Sequence, residues 1–301
     1  MTTSLPHRTT PWALLLFLGW WTVSSSPRGA LITQDQQTVA TVPLPNQAGS
    51  FRFAVVGNSG TGEQAQYELG DQMATLRERF TFDDVVLLGG NIQGNERPQD
   101  FIKKFEAPYK RLLEAGVTFH AALGNDDARE QRHYKNFNMG GKLYYTFQPR
   151  PDVQFVVLES TYFDKEQSEW LEATLRESKS AWKIVYCHHP PYSSGRRHGS
   201  YVSLRTRLEA ILLKYNVSVV LSARDRIYER TKPQAGITYF VVGSSGEVRN
   251  GGIDGSTGLT ANGFDTDLVF LVAEIVGDQL HFNAISRSGQ TVDSGVLTRR
   301  K

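Results

Sequence analysis

The chain of 301 residues is 40% hydrophobic and carries 33 Lys and Arg against 31 Asp and Glu. A formal net charge of +2 is too near neutral for a nucleic-acid-binding surface, so no nucleic acid is expected among the partners. Cys187 is the only cysteine, which excludes an intramolecular disulfide, and the apolar run Ile184–Tyr186 before it predicts a buried structural thiol.

Residues 11–23, PWALLLFLGWWTV, form a largely apolar run after a short segment holding His7 and Arg8. The run falls short of the ~20 residues that span a bilayer as a helix. With the Ser24–Ala30 segment behind it, it fits a secretory signal peptide cut near Ala30; a short uncleaved anchor is the alternative and a hydrophobic tail the plainest reading. Residues 1–30 are therefore read as a signal peptide or N-terminal membrane anchor, and the protein as exported, secreted or periplasmic. No cysteine follows the run, which excludes a lipid-modified one. Residues 31–50, with Gln34, Gln36, Gln37, Pro43 and Pro45, read as a linker.

The globular part begins at Phe51. Phe51–Val56 predicts a strand and Thr61–Phe80 a helix, with apolar residues at Tyr67, Leu69, Met73, Leu76 and Phe80 and Thr61 as its cap. A strand at Val85–Leu88, a helix over Gln99–Glu114 and a strand at Val117–Leu123 follow. This β-α-β-α-β order argues for a parallel inner sheet with right-handed crossovers. Further strands are expected at Leu143–Phe147, Val153–Leu158 and Trp182–Cys187, with helices at Lys165–Glu177 and Leu204–Lys214. Val217–Ser222 reads as a strand buried on both faces; it breaks into Ala223-Arg224-Asp225-Arg226 and restarts as Ile227-Tyr228-Glu229-Arg230. After Ile237–Val242 comes a Gly-rich loop, Gly243–Gly263. Alternating strands around Leu268–Ile275, Leu280–Ser286 and Thr291–Leu297 close the chain, with Gly277-Asp278 as a hairpin turn. The expected class is α/β: a four-layer α/β/β/α sandwich of two mixed sheets flanked by helices, in one domain over 51–301.

Five short motifs stand at predicted strand ends, where α/β folds gather ligand-binding groups. They are Gly57-Asn58-Ser59-Gly60, Gly89-Gly90-Asn91-Ile92-Gln93, Gly124-Asn125-Asp126-Asp127, His188-His189-Pro190-Pro191-Tyr192, and the Ala223–Arg230 stretch. Each is weak alone. In this order they resemble the calcineurin-like metallophosphoesterases, the purple acid phosphatase branch in particular, over about residues 51–300. The resemblance implies the sandwich, phosphoric ester hydrolysis, and two metal ions, iron paired with zinc, manganese or a second iron.

The ligand positions implied by that resemblance have mostly changed chemistry. Asn58 stands where the family has an aspartate, Gly90 where a bridging aspartate would lie, Gln93 at the tyrosinate position, and Arg224 and Arg226 at two histidines. Asn125 and His188 match the family. A dinuclear hydrolase needs carboxylates, imidazoles or a phenolate around its ions, whereas arginine stays protonated and offers no lone pair. Two of seven ligand positions therefore survive, and no metal cofactor is expected. The family's catalytic histidine is replaced by Asp126, so no catalytic residue is expected, and Asp127, the residue that orients this histidine in relatives, is left without its old partner. Asn91, His189, Tyr192, His198, Tyr228 and Glu229 match the scaffold around the site, His198 as a histidine beside the ligands.

Three functional readings compete. In the first, a degenerate phosphoesterase fold keeps an arginine-lined pocket (Asn58, Asn91, Asn125, His188, His189, Arg224, Arg226) for phosphate or a phosphorylated small molecule. In the second, an active phosphoesterase works by altered chemistry, with His188 or His189 activating Ser59 or Ser222. In the third, the chain is purely structural or an interaction protein. The plainest reading of the arginines is ion pairing with Asp126, Asp127 or Glu229, closing the pocket. If only the site has decayed, Asn58→Asp, Gly90→Asp, Asp126→His, Arg224→His and Arg226→His together should restore metal binding. The sequence leaves the oligomeric state open.

Overall fold

The computed structural model describes residues 41–301. The expected signal peptide or anchor, and residues 31–40 of the expected linker, lie outside the described residues. The rest of that linker lies against the domain. The backbone N–H groups of Asn46 and Gln47 each donate 2.7 Å hydrogen bonds to Glu274, and Val42 N–H donates to Ser294 Oγ at 2.8 Å.

The chain begins with the predicted order, β1 (Phe51–Val56), α1 (Gln64–Arg77), β2 (Asp84–Leu88) and, after a broken helical stretch, β3 (Thr118–Ala122), although α1 is shorter than expected and has Glu63, not Thr61, at its N-cap. All three strands are parallel neighbours. The helix expected over 99–114 is divided into α2 (Pro98–Phe101), a π turn over 102–106 and α3 (Lys110–Glu114). Pro108 is the cause. It has no N–H for the Lys104 carbonyl and crowds it, so the helix cannot continue. The freed carbonyl accepts instead from Gln66 Nε2 at 2.6 Å, and the Lys103 carbonyl from the Tyr67 hydroxyl at 2.8 Å. The break thus fastens this segment to α1.

The second half supplies β4 (Tyr145–Arg150), β5 (Val153–Val157), α4 (Lys165–Glu177), β6 (Trp182–Tyr186), α5 (Val202–Lys214) and β7 (Val219–Ser222). Then follow β8 (Tyr228–Thr231), β9 (Thr238–Val242), β10 (Thr260–Phe264), β11 (Val269–Val276), β12 (Gln279–Ser286) and β13 (Thr291–Thr298). β4 runs two residues later than expected. As an edge strand with an irregularity between Phe147 and Arg150, it tolerates Pro149. β10 forms inside the stretch read as loop, paired with β8.

One sheet has the order β13-β12-β11-β1-β2-β3 and the other β10-β8-β9-β7-β6-β5-β4. Both are mixed. Phe53 of one sheet meets Phe155 of the other edge to face at 5.1 Å, and Phe240 meets Phe282 at 5.1 Å, so the inner faces share a core. The outer face of the second sheet packs Val156, Val185 and Val220 against Leu171 of α4 and Leu208 of α5. Leu69 and Met73 of α1 cover the first sheet. The expected four layers form. The parallel strands β1, β2, β3, β5, β6, β7 and β9 all end toward one rim, and their following loops carry the motifs.

Candidate functional site

The rim loops are tied together by hydrogen bonds that no linear motif displays. Asn58 adopts a left-handed conformation (φ 50°), which asparagine tolerates better than most residues. Its backbone N–H donates to Gly89 O at 2.8 Å, its Nδ2 to Gly243 O at 2.9 Å, and its carbonyl accepts from Gln93 Nε2 at 3.0 Å. Gly90 is also left-handed (φ +68°), and a Cβ there would lie 2.7 Å from Asn58 Oδ1 and 2.8 Å from Asn58 Cα. Asp127, expected from sequence to have lost its partner, is instead a buried clamp. Its carboxylate accepts from the N–H groups of Gly90 (2.8 Å), Gly124 (2.7 Å), Asn91 (2.9 Å) and Ile92 (3.3 Å), and from Gln131 Nε2 at 3.0 Å. Burial pushes this carboxyl up to about 6, opposed by those hydrogen bonds.

His188 and His189 have separate roles. His188 Nδ1 lies 2.9 Å from Leu88 O, an acceptor, so it carries the proton and leaves Nε2 as the basic nitrogen of a ring that lines the cleft. Burial, and after it the Arg224 charge, bring this imidazole down to about 4, against the pull of the Leu88 carbonyl. His189 faces Arg224 Nη1 through Nε2 at 2.9 Å and Ser160 Oγ through Nδ1 at 2.8 Å. A guanidinium only donates, so Nε2 accepts and Nδ1 donates to the serine. Burial, then the neighbouring His188 and Arg224, hold His189 down to about 3. Both rings are neutral at pH 7.

The two arginines differ in their partners. Arg224 takes a left-handed backbone (φ 52°) and donates through Nη1 to Asn125 Oδ1 as well as His189. Arg226 donates to Glu247, from the Gly-rich loop. The ion pairs considered from sequence, with Asp126, Asp127 or Glu229, do not form. Asp126 instead accepts from Asn125 Nδ2 at 2.7 Å, and Glu229 from Ser194 N–H (2.8 Å) and Thr260 Oγ1 (2.7 Å). Asp225 is buried at the cleft wall and accepts from Ser193 Oγ at 2.9 Å and from the backbone of His198 and Gly199.

These groups enclose a cleft of about 260 Å³, lined by Asn58, Asn125, His188, His198, the carboxylate-bearing Asp126 and Asp225 and the guanidinium-bearing Arg197, Arg224, Arg226 and Arg249. Gly90 and Gln93 line an adjoining cavity that shares Asn58, Asp126, His188 and Arg226. Sequence reasoning misses Arg197, Arg249 and Glu247. They sit on irregular loops with no periodicity and outside the motif positions, although the Arg196-Arg197 pair beside His198 is a signal. Five predicted residues line neither cavity, His189 among them, which meets the site through its contact with Arg224. Asn91 is buried, with Nδ2 on Ala122 O; the Tyr192 hydroxyl bonds Glu209, that of Tyr228 bonds Asp293, and Glu229 braces the 194 loop.

The serine–histidine arrangements considered for altered catalysis are not assembled. Ser222 Oγ donates to Phe240 O at 2.9 Å in the interior, and Ser59 is buried away from both rings' hydrogen bonds. The histidine-bonded serine is Ser160, whose Oγ also accepts from His189 N–H. Cys187 is buried as expected, its thiol pushed up to about 12 by burial.

The donor set does not fit the dinuclear metal centre that the resemblance implies. Asn125 Oδ1, one surviving ligand atom, is taken by the Arg224 guanidinium. The Asn58 side chain is turned between Gly243 O and Gly90, and Gly90 offers no donor. What remains of the implied ligand set is His188 Nε2, in a cleft lined by four arginines and by Asp126 and Asp225. Among the described residues no cluster of three or more His, Cys, Asp or Glu side chains is placed to hold an ion.

A two-sheet sandwich with its loops gathered at one rim is the architecture of a phosphoesterase domain. The sequence pattern of the calcineurin-like phosphoesterases matches residues 51–223, and the chain belongs to that family. It is similar to purple acid phosphatase 21 of Arabidopsis thaliana, 34% identical over 65% of this chain and 50% of that one. It is also similar to purple acid phosphatase 3 of the same plant, 24% identical over 68% and 65%. The chain thus spans about half to two thirds of these relatives' length. In structure it resembles GAP50, described as the anchor in the inner membrane complex of Plasmodium (TM-score 0.71, 17% identity, 84% of this chain and 90% of that). It also resembles a purple acid phosphatase from yellow lupin seeds (TM-score 0.64, 19% identity, 85% and 55%).

Proposed function

We propose that this chain is a degenerate metallophosphoesterase-fold protein that holds phosphate, or a phosphorylated small molecule, without hydrolysing it. The observation that carries the reading is Arg224. Its guanidinium takes up the Asn125 oxygen that would face a metal and leans on a neutral histidine, with no carboxylate hydrogen-bonded to it among the described residues. A left-handed backbone at a non-glycine residue costs about 1–2 kcal/mol, and such strain persists where the surroundings over-determine it. Arg197 and Arg249 bring the lining to four guanidinium groups against the carboxylates of Asp126 and Asp225, and planar donor forks suit phosphate oxygens. Such a site attracts an anion and has no means of making a metal-bound hydroxide. We further propose that the chain is exported, through the apolar run at 11–23.

The test is calorimetry with phosphate, sulfate and a phosphomonoester, beside hydrolysis of an aryl phosphate and elemental analysis of the full chain. Salt-sensitive binding that disappears in Arg224→Ala, with no turnover and substoichiometric metal, supports the reading. Close to two iron, zinc or manganese ions per chain, or turnover without added metal, overturns it. A second reading, a purely structural or interaction protein, is favoured by the Arg226–Glu247 pair, which already satisfies one of the two arginines from within. It also agrees with the likeness to a chain described as an anchor. No binding at millimolar anion in a folded protein would leave that reading in place.

A further inference from the structure

Beside the arginine cleft, on the far side of His189, lies a second groove of about 360 Å³. Its walls are the loop between β5 and α4 (Ser160–Asp164) and the start of α5 (Tyr201, Ser203, Leu204). Exposed large apolar side chains are few among the described residues: Ile102, Tyr162, Tyr201, Val202 and Val296. Two of these five, Tyr162 and Tyr201, line the groove, and Val202 is the next residue along from Tyr201. Tyr162 is 67% exposed, Val202 53% and Tyr201 38%. A surface tyrosine standing alone needs no explanation, but a cluster at the edge of a groove marks a place where something apolar binds.

Two further observations bear on this groove. First, its walls are fixed. The buried Glu159 carboxylate accepts from Thr161 N–H at 2.7 Å and Tyr162 N–H at 2.9 Å, Gln167 closes the loop onto α4 through Glu159 O at 2.9 Å, and Tyr201 N–H donates to Pro190 O at 2.7 Å. The tyrosines are therefore carried on ordered backbone, and little entropy is lost when they meet a ligand. Second, the groove adjoins the cleft through one ring. His189 stacks on Tyr201 with centroids 4.6 Å apart and planes at 31°, while its Nε2 accepts from Arg224 at 2.9 Å. A single imidazole thus separates the tyrosine face from the guanidinium.

We propose that the ligand of the arginine cleft is a phosphomonoester bearing a planar aromatic ring, seated between Tyr162 and Tyr201 while its phosphate lies on Arg224. The inference rests on the anion-binding reading above and adds what the rest of the ligand is. A flat ring fits tyrosine faces because offset or edge-to-face contacts satisfy the ring quadrupoles, whereas a polyol would leave both tyrosines exposed to water. Arg129, 5.7 Å over the Tyr162 ring, places a positive charge on one face of that tyrosine and adds to the pull on an anionic ligand.

The test measures the affinity of the full chain for inorganic phosphate, glycerol phosphate, phenyl phosphate and adenosine monophosphate by calorimetry. The expected result is phenyl phosphate or the nucleotide binding about tenfold more tightly than glycerol phosphate, a difference of about 1.4 kcal/mol. The preference of one over the other then tells whether the ring is a plain arene or a nucleobase. Tyr162→Ser, at a side chain that is two-thirds exposed and not stacked on His189, should remove the aromatic advantage and leave inorganic phosphate unchanged. Tyr201→Phe should keep the advantage and Tyr201→Ser lose it. Equal affinity for glycerol and aromatic phosphates, with inorganic phosphate still bound, overturns this inference alone. Loss of all phosphate binding, inorganic included, overturns the anion-binding reading beneath it as well.

Discussion

Adding back the bridging carboxylate at Gly90 should fail in this chain, and the size of the failure can be worked from geometry. Gly90 has φ +68°, where L side chains are disfavoured, and a Cβ added to it would stand 2.8 Å from Asn58 Cα, a backbone atom fixed by three hydrogen bonds around it. The left-handed backbone costs about 1–2 kcal/mol. Overpacking against an atom that cannot retreat adds about 1–3 kcal/mol. Gly90→Ala should therefore lower stability by about 2–5 kcal/mol, which at roughly 2–4 °C per kcal/mol is a fall of about 5 °C or more in Tm. Gly94 supplies the control, since it has φ +76° and a methyl group added there would meet no atom within 4 Å. Gly94→Ala should show the dihedral cost alone. Urea unfolding of both variants separates the two contributions, and equal losses would refute the steric argument. Gly90→Asp should be worse than Gly90→Ala, because its carboxylate would be placed beside Asp127, which already accepts from Gly90 N–H. The fivefold reversion expected from sequence to restore metal binding should for this reason give a destabilised protein.

The other expectations concern charge. Glu247→Gln frees Arg226 from a partly exposed ion pair worth about 0.2–1 kcal/mol, so phosphate affinity by calorimetry should rise about 1.5- to 5-fold at low salt. His188 and His189, at about 4 and about 3, lie below the 6.5 of a free imidazole. Their contribution to stability is full above pH 6.5 and lost as pH falls toward those values, and their ring resonances in NMR should not titrate above about pH 5. Asp127, raised to about 6 from 3.8, acts oppositely: its contribution is full below pH 3.8 and lost as pH rises through 6. Asp127→Asn should destabilise the fold by about 1–3 kcal/mol through unpaired backbone N–H groups. Measured by urea unfolding, that deficit should be larger at pH 4 than at pH 7. A chelator should leave Tm unchanged, because the rim is held by contacts between protein groups.

Much of this architecture is legible from residue pattern, and the failures have physical causes. Apolar runs such as Val85–Leu88 and Val219–Ser222 are buried on both faces, and burial on both faces is what an unbroken apolar run encodes. Thr260–Phe264 is an edge strand with Asn262 and Gly263 in it and partly exposed side chains, so its pairing to β8 depends on a neighbour that no local window contains. The position of the site follows from the order of motifs at strand ends. The partners do not: Arg197 and Arg249 reach the cleft, and Glu247 reaches Arg226, from loops without periodicity. A sequence displays side chains, so it points Asp127 toward a side-chain partner. The actual partners are mainly backbone N–H groups, which a sequence does not display.

A rim of loops from both sheets needs cross-links to keep its shape, and in the family pattern the ligand positions on those loops meet at shared metal ions. Here each junction has a direct substitute. Asp127 joins the β2 and β3 loops through four backbone donors, and Arg224 joins the loop after β7 to Asn125 after β3 and His189 after β6. Asn58 joins the loop after β1 to Gly89 after β2 and Gly243 after β9. Arg226 reaches Glu247 in that last loop, and the backbone N–H of Arg249 donates to Arg226 O at 2.8 Å. Every substituted ligand position thus takes part in a hydrogen-bonding tie, Gly90 through its backbone to Asp127 and Gly60, and Gly90 is also where Asn58 packs close. A cleft can change its chemistry without unfolding when the replacements take over the cross-linking in this way. Because the cross-links at Arg224 and Arg226 are guanidinium groups, the contacts that keep the shape of the rim also leave fixed positive charge on it.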